Sequence, residues 1–240
     1  THAHLDHCGR IPLLARRGFK GEIIATVATR ELARLVMLDS ANLHEEDARY
    51  QAKKRARHGL KNKVKPLYSV VDALNGIGFF GRTARYNHRL KLGRGIHATF
   101  YDAGHILGSS SVFLELEEDG RTRTVLFSGD LGNTGRPLLR DPAIPEARAD
   151  IVVMETTYGD RLHKSLEPSV EELYDAINDT FQRGGNVGIP PFALERTQDL
   201  LFFLREGVEN HRLPATTQVY LDSPMAISAT EIFQRYPDCY

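Results

Sequence analysis

The apolar positions change period several times along the chain. Residues 11–15 follow a helical spacing that breaks near Gly18. Ile23, Ile24 and Val27 predict a buried strand over residues 22–28. Thr29 then offers an N-cap for a helix with Leu32, Leu35 and Val36 on one face, and Glu31 in its first turn. Ser69 followed by Asp72 predicts a second capped start, opening a short helix to Leu74. From Arg94 the period becomes two. Strands are predicted over residues 96–101, 111–117 and 124–127, with Asp119-Gly120 as the hairpin between the last two. A further strand over residues 151–154 ends at Glu155. Three polar clusters, at His105, Asp130 and Glu155, therefore sit beside strand ends, where many active sites are built.

The pattern changes again near residue 160, which we read as a domain boundary. Val170, Leu173, Tyr174, Ile177 and Phe181 make the stripe of a helix with Pro168 in its first turn and Gly184-Gly185 at its end. A strand over residues 187–190, a helix over 196–205, a strand over 218–221 and a helix from about Met225 follow. Strand and helix in alternation predict a parallel α/β unit.

Composition narrows the class without naming a function. Of 240 residues, 41% are hydrophobic and 26% charged, which excludes disorder, collagen and coiled coil for the chain as a whole. No apolar run approaches the roughly 20 residues a membrane span needs. Thirty-one basic residues balance 31 acidic ones, so any affinity for nucleic acid must come from a local patch. One such patch is the basic run over residues 49–65, which holds Arg49, Lys53, Lys54, Arg55, Arg57, Lys61, Lys63 and Lys65 and no acid. It reads either as a solvated helix face and loop or as a surface for phosphate backbones. Cys8 and Cys239 are too few and too far apart for a disulfide framework, and a reducing, cytoplasmic setting is the default.

The chemistry concentrates at the start. His2, His4, Asp6 and His7 place three imidazoles and a carboxylate within seven residues. Packing does not explain so many polar rings, which are costly to bury without partners. His2 and His4, two apart, can both reach one ion. Asp6 and His7, on a turning segment, can reach a second. Imidazole with carboxylate suits zinc, with manganese or iron as alternatives. Such a cluster needs a rigid scaffold before it as well as after it, so the sequence reads as a fragment that lacks preceding strands.

His2-Ala3-His4-Leu5-Asp6-His7 resembles the metal motif of the metallo-β-lactamase superfamily. Asp102-Ala103-Gly104-His105-Ile106-Leu107-Gly108-Ser109 resembles its next histidine motif, Phe127-Ser128-Gly129-Asp130 its aspartate motif, and Glu155-Thr156-Thr157-Tyr158-Gly159 the acidic motif that opens the β-CASP region. Gly188-Ile189-Pro190-Pro191-Phe192-Ala193 with Arg196-Thr197-Gln198, and Leu221-Asp222-Ser223-Pro224-Met225-Ala226, resemble stretches of the β-CASP domain itself. The resemblance covers essentially the whole chain. It implies an α/β fold: a metallo-β-lactamase αββα sandwich over residues 1–160, lacking its N-terminal strands and C-terminal return, and the first part of an inserted β-CASP α/β domain over 161–240.

The resemblance also implies roles. His2, His4 and His105 would hold one zinc ion, Asp6 and His7 a second, and Asp130 would bridge them. Asp6, Asp130 and Glu155 would form the catalytic set. Glu155 either orients a ligand's second nitrogen or positions a histidine that acts on the leaving group. Two further histidines of the family, one metal ligand and one general acid, fall beyond Tyr240. The implied activity is zinc-dependent phosphodiester hydrolysis of single-stranded RNA, by endonuclease or 5′-exonuclease action, through water activated by two zinc ions. DNA is the alternative substrate, and a homodimer or a processing complex the implied assembly. Asp102 is either a support for the ligands or a turn former. His163 lies close enough to Glu155 in sequence to face the cleft. His44, His58, His88, His97 and His211 read as surface or structural, and Cys8 as a small buried residue. Three rival readings remain: a thioester or lactam hydrolase, which shares the first motif but is disfavoured by the β-CASP stretches; a catalytically inactive scaffold, which usually loses metal ligands; and a binding module, which would not need the histidines.

Overall fold

A computed structural model describes residues 1–60, 64–162 and 164–237. Two compact units divide it: Thr1–Glu155 together with the segment from Glu231 onward, and Thr156–Thr230.

The first unit opens with a one-turn helix, α1 (Leu5–Cys8), followed by α2 (Ile11–Arg16). Strand β1 (Ile23–Thr26) leads directly into α3 (Val27–Arg57). The strand is shorter than its sequence suggests, because Thr26 and not Thr29 caps the helix: the Thr26 hydroxyl accepts a hydrogen bond from the Thr29 amide. Helix α3 runs for 31 residues. No glycine or proline interrupts it, and Ala28, Leu32, Val36 and Ser40 recur at four-residue spacing on its covered face. It ends at His58 and Gly59.

Helix α4 (Val70–Ile77) starts as predicted and runs one turn further. The Ser69 hydroxyl accepts from the Asp72 amide, and the Asp72 carboxylate accepts from the Ser69 amide. Strand β2 (Phe80–Ala84) then pairs in parallel with β1, as a helical crossover permits.

The larger sheet has the order β3-β4-β5-β6-β7: β3 (Arg89–Gly93), β4 (Ile96–Asp102), β5 (Ser110–Glu118), β6 (Arg121–Phe127) and β7 (Ile151–Val153). All pairs are antiparallel except β6 with β7. The β5–β6 turn is made by Asp119 and Gly120, both with positive φ, the hairpin geometry their sequence announces. Strands β2 and β3 escape the sequence pattern. Arg82 and Thr83 interrupt the apolar run of one, and charged residues fill the exposed face of the other. The two sheets share a core. Ala84 and Ile24 from the small sheet pack with Ala98, Phe100, Val112 and Leu114 from the large one. Helix α3 packs along the small sheet and against α1 and α4.

The second unit holds α5 (Leu166–Gln182), α6 (Arg196–Glu209) and the first part of α7 (Pro224–Arg235). Tyr174, Ile177 and Leu213 form its core, with Val170, Phe181, Leu204 and Val208 around them. The strands predicted over 187–190 and 218–221 do not form among the described residues, so the alternating unit read from the sequence is not built there. A strand needs a neighbour for its backbone groups, and both segments lie open, with Val187, Ile189 and Val219 exposed.

Candidate metal centre

Strand register brings the polar clusters together. Asp102 at the end of β4 pairs with Ser110 at the start of β5. Phe127 at the end of β6 pairs with Val112 near that start and with Val153 at the end of β7. The segments after β4, β6 and β7, which carry His105, Asp130 and Glu155, therefore emerge at one edge of the sheet. The N-terminal segment arrives at the same edge, because the Thr1 carbonyl accepts hydrogen bonds from the Ser110 amide and hydroxyl.

His2 is buried, and His4 is the extended residue that opens α1. The His4 carbonyl accepts from the His7 and Cys8 amides, so one tight turn swings Asp6 and His7 round to the outer side. The Cys8 thiol is buried, donates to the Ala3 carbonyl, and is pushed up to about 12 by that burial. It stays protonated, as a structural and not a ligating cysteine does.

Four side chains converge. His2, His4, His105 and Asp130 each present one donor atom, and these atoms all lie within 4.8 Å of one another. The His4 Nδ1 is 3.1 Å from the His2 Nε2 and 3.0 Å from the His105 Nε2. The Asp130 Oδ2 is 3.6 Å from both Nε2 atoms. A tetrahedral ion with bonds of about 2.0–2.1 Å has donor–donor edges of about 3.3 Å. The observed spacings bracket that edge, so the donor set fits a metal ion.

His7 stands on the other side of the same carboxylate. Its Nε2 is 3.1 Å from the Asp130 Oδ1 and 3.5 Å from the Asp6 Oδ2. Asp6 is mostly exposed and is not among the four convergent residues.

The imidazoles of His2, His4 and His105 are pushed toward the neutral form, the form a metal requires. Burial drives His2 down to about 2, and the neighbouring His7, His105 and His4 rings push the same way. Burial also lowers His4, against the opposing pull of Asp6 and Asp130. His105 is lowered by burial and then by His4, with Asp130 and Glu155 opposing. The His2 Nδ1 faces the Thr1 hydroxyl at 3.3 Å, and its Nε2 points into the cluster toward His4 and Asp130.

The supports of the site are polar contacts to backbone. Asp102 is a turn former: its Oδ1 accepts from the Gly104 amide. Ser109 Oγ accepts from the His105 and Ile106 amides. The Gly108 carbonyl accepts from the hydroxyls of Thr26 and Thr29, both at 2.7 Å. Gly108 has φ +78, and a Cβ there would lie 2.7 Å from the Thr29 amide nitrogen. The Glu155 Oε1 accepts from the Leu131 amide at 2.6 Å and so pins the residue after Asp130. The Gly132 amide donates to the Ala103 carbonyl, tying the Asp130 segment to the His105 segment.

Sequence reasoning assigned no role to Thr26, Ser109 or Gly132. Hydroxyls beside a Gly-containing turn were the available signal for Ser109. Of the remaining histidines, His44 sets its ring edge-on to Tyr68, and His163 lies outside the described residues, as do Lys61, Lys63 and Cys239.

Comparison with known proteins agrees with this arrangement. The profile of the metallo-beta-lactamase superfamily matches residues 1–187, and that of the Beta-Casp domain matches residues 197–240. Ribonuclease TTHA0252 of Thermus thermophilus is 37% identical over 235 residues, covering 98% of this chain and 48% of the relative. Transcription termination factor FttA of Methanocaldococcus jannaschii is 32% identical over 243 residues, covering 99% of this chain and 34% of the relative. Endoribonuclease ysh1 of Schizosaccharomyces pombe is 28% identical over 240 residues, covering 98% and 28%. The chain thus spans about half or less of the length of these relatives. With a profile matched from the first histidine through the acidic motif, and a second profile following it, the chain belongs to the metallo-beta-lactamase superfamily, in the branch that carries a Beta-Casp domain.

Proposed function

We propose that this chain supplies the metal-binding part of a two-zinc phosphodiester hydrolase that cleaves single-stranded RNA. One observation carries the reading: the two oxygens of Asp130 face different donor sets. Oδ2 faces His2 and His105, and Oδ1 faces His7. A carboxylate divided in this way suits two neighbouring ions. His2 Nε2, His4 Nδ1, His105 Nε2 and Asp130 Oδ2 would hold the first, and Asp130 Oδ1, His7 and Asp6 would contribute to the second. When bound, the zinc ions supply an acidified water and offset negative charge on a phosphate.

The chain's own residues do the rest by position. Burial keeps His2, His4 and His105 unprotonated, so protons do not compete for their lone pairs at neutral pH. Glu155 acts as a positioning residue, through the Leu131 amide. His7 and Asp6 line the exposed side, where a substrate can approach. RNA as substrate is supported by the relatives, two of which are named as ribonucleases.

The test is elemental analysis of the full-length protein, purified with metal present, beside His4→Ala and Asp130→Ala. Close to two zinc ions per chain, reduced in both variants together with cleavage of labelled single-stranded RNA, is the expected result. Zinc content unchanged by either substitution would overturn the assignment.

A further inference from the structure

The hydrolase reading uses nothing from the far half of α3. The first half of that helix is covered, with Leu32, Val36, Met37 and Ala41 at 0–3% exposure. After the half-buried Ala52, every residue to Leu60 is exposed. This open end carries Lys53, Lys54, Arg55 and Arg57, and Arg49 is exposed one turn before it. None of them has an ion-pair partner among the described residues, whereas Arg82, Arg89, Arg205 and Arg212 each pair with a glutamate. Asp47, the nearest acid on the helix, is taken by Gln51 at 2.7 Å.

A helix C-terminus favours cations in its last turn. That accounts for Lys54, Arg55 and Arg57 near the final carbonyls. It does not account for Arg49 and Lys53, or for the aromatic ring among them. Tyr50 is 66% exposed and shares a groove of about 410 Å³ with Lys54, Arg55, His58 and Leu60, and with the hydrogen-bonded pair Asp47 and Gln51. Tyr50, Lys54 and His58 are four apart and lie on one face. An open ring flanked by unpaired cations is the makeup of a single-strand platform, with a π-face for a base and charges for the phosphates on either side. A duplex offers phosphates but hides its base faces, and an acidic peptide offers charge but nothing for the ring.

We propose that the far end of α3 is a second nucleic-acid contact, binding single-stranded RNA through phosphates at Lys53, Lys54, Arg55 and Arg57 and through one base stacked on Tyr50. It rests on the RNA-hydrolase reading and extends it. The start of α3 grips Gly108, three residues past His105, and Lys54 lies about 40 Å along the axis from that start. Long substrates would therefore feel this contact and short ones would not. Tethering at a second point raises the effective concentration of the strand at the metal centre.

The experiment uses metal-loaded full-length protein and two probes. Affinity for a long single-stranded phosphorothioate RNA, which hydrolyses slowly, is measured across a salt series. Turnover of bis(p-nitrophenyl) phosphate, too small to reach α3, reports the metal centre alone. Replacing Lys53, Lys54, Arg55 and Arg57 with Gln is expected to flatten the slope of log affinity against log salt by about 0.7 for each phosphate no longer neutralised. Tyr50→Ala is expected to weaken binding about 5- to 150-fold, with Tyr50→Phe close to wild type. Turnover of the small diester stays unchanged in all variants. Unchanged RNA affinity and salt slope, with the small diester still hydrolysed, would refute the second contact and leave the hydrolase intact. Equal competition by polyglutamate, with no effect of Tyr50→Ala, would also refute it by marking a general polyanion surface. Variants that lose RNA affinity in a protein that never hydrolyses the small diester would support the contact and sink the hydrolase reading.

Discussion

Gly132→Ala is the sharpest single perturbation the structure offers. Gly132 follows Asp130 by two residues, and its backbone lies flat against the segment carrying His105. A Cβ added there would sit 1.5 Å from the Gly104 carbonyl oxygen, 2.2 Å from the Gly104 carbonyl carbon and 2.8 Å from the His105 amide nitrogen. All three are backbone atoms, so no side chain can swing aside. Restoring ordinary contact requires the two segments to part by about 1.5–2 Å. Metal–ligand distances tolerate about 0.2 Å. The parting falls between His105 and Asp130, whose donor atoms are 3.6 Å apart. We expect metal affinity to fall by more than the roughly 10- to 100-fold typical of losing a supporting group. Overpacking should also cost about 1–3 kcal/mol of folding stability. The assay is competition of the protein with a chromophoric chelator for zinc, beside urea denaturation. Gly93→Ala is the control, since a Cβ there meets nothing within 4 Å. An alanine variant at 132 that binds zinc as tightly as wild type would refute the reasoning, because the two ligand segments would then be free to separate without loss.

Three further outcomes are expected. Thr29→Val leaves the Gly108 carbonyl one hydroxyl and should cost about 1 kcal/mol, whereas Thr26→Val also removes the N-cap of α3 and should cost about 2 kcal/mol. The double variant strands that carbonyl and should cost more than the sum in urea titrations; simple additivity would argue against a shared acceptor. Glu155→Ala should lower zinc affinity about 10- to 100-fold, with Glu155→Gln retaining most of it because an amide oxygen can still accept from Leu131; equal loss in both would point to the carboxylate's charge instead. In chelator, the metal-free protein should lose stability as pH falls from about 6.5 to 4.5. His2 titrates at about 6.5 unfolded but near 2 when folded, so the unfolded state binds more protons throughout that window, and the slope approaches about 1.4 kcal/mol per pH unit for each such histidine. A flat profile there would contradict burial of the neutral ring, since the carboxylates held low by their partners respond only at lower pH.

The sequence made the ligands legible and left their supports obscure. His2, His4, His105 and Asp130 could be singled out because imidazole and carboxylate side chains carry the chemistry themselves. The Ser69–Asp72 cap and the Asp119-Gly120 turn were legible because each is a local device, complete within four residues. The grip of Thr26 on Gly108 was not legible because the two lie 82 positions apart. Gly132 was overlooked because what matters there is an absent atom. The strands predicted at 187–190 and 218–221 had the right composition, but pairing is a property of neighbours and not of composition. Helix α3 was longer than its apolar stripe because alanine, glutamate, lysine and arginine sustain a helix that packing no longer supports.

That helix is clamped by two threonine hydroxyls at one end and bare over its last turns, which makes it mechanically a cantilever. Rigidity in such a beam is graded. Amides near Leu32 and Met37 should exchange with deuterium only through opening of the whole unit, while those past Lys53 exchange through end-fraying that is much faster. The gradient decouples the two ends. The tip can follow a moving strand with its own local fluctuations, while the clamped base keeps the His105 turn still.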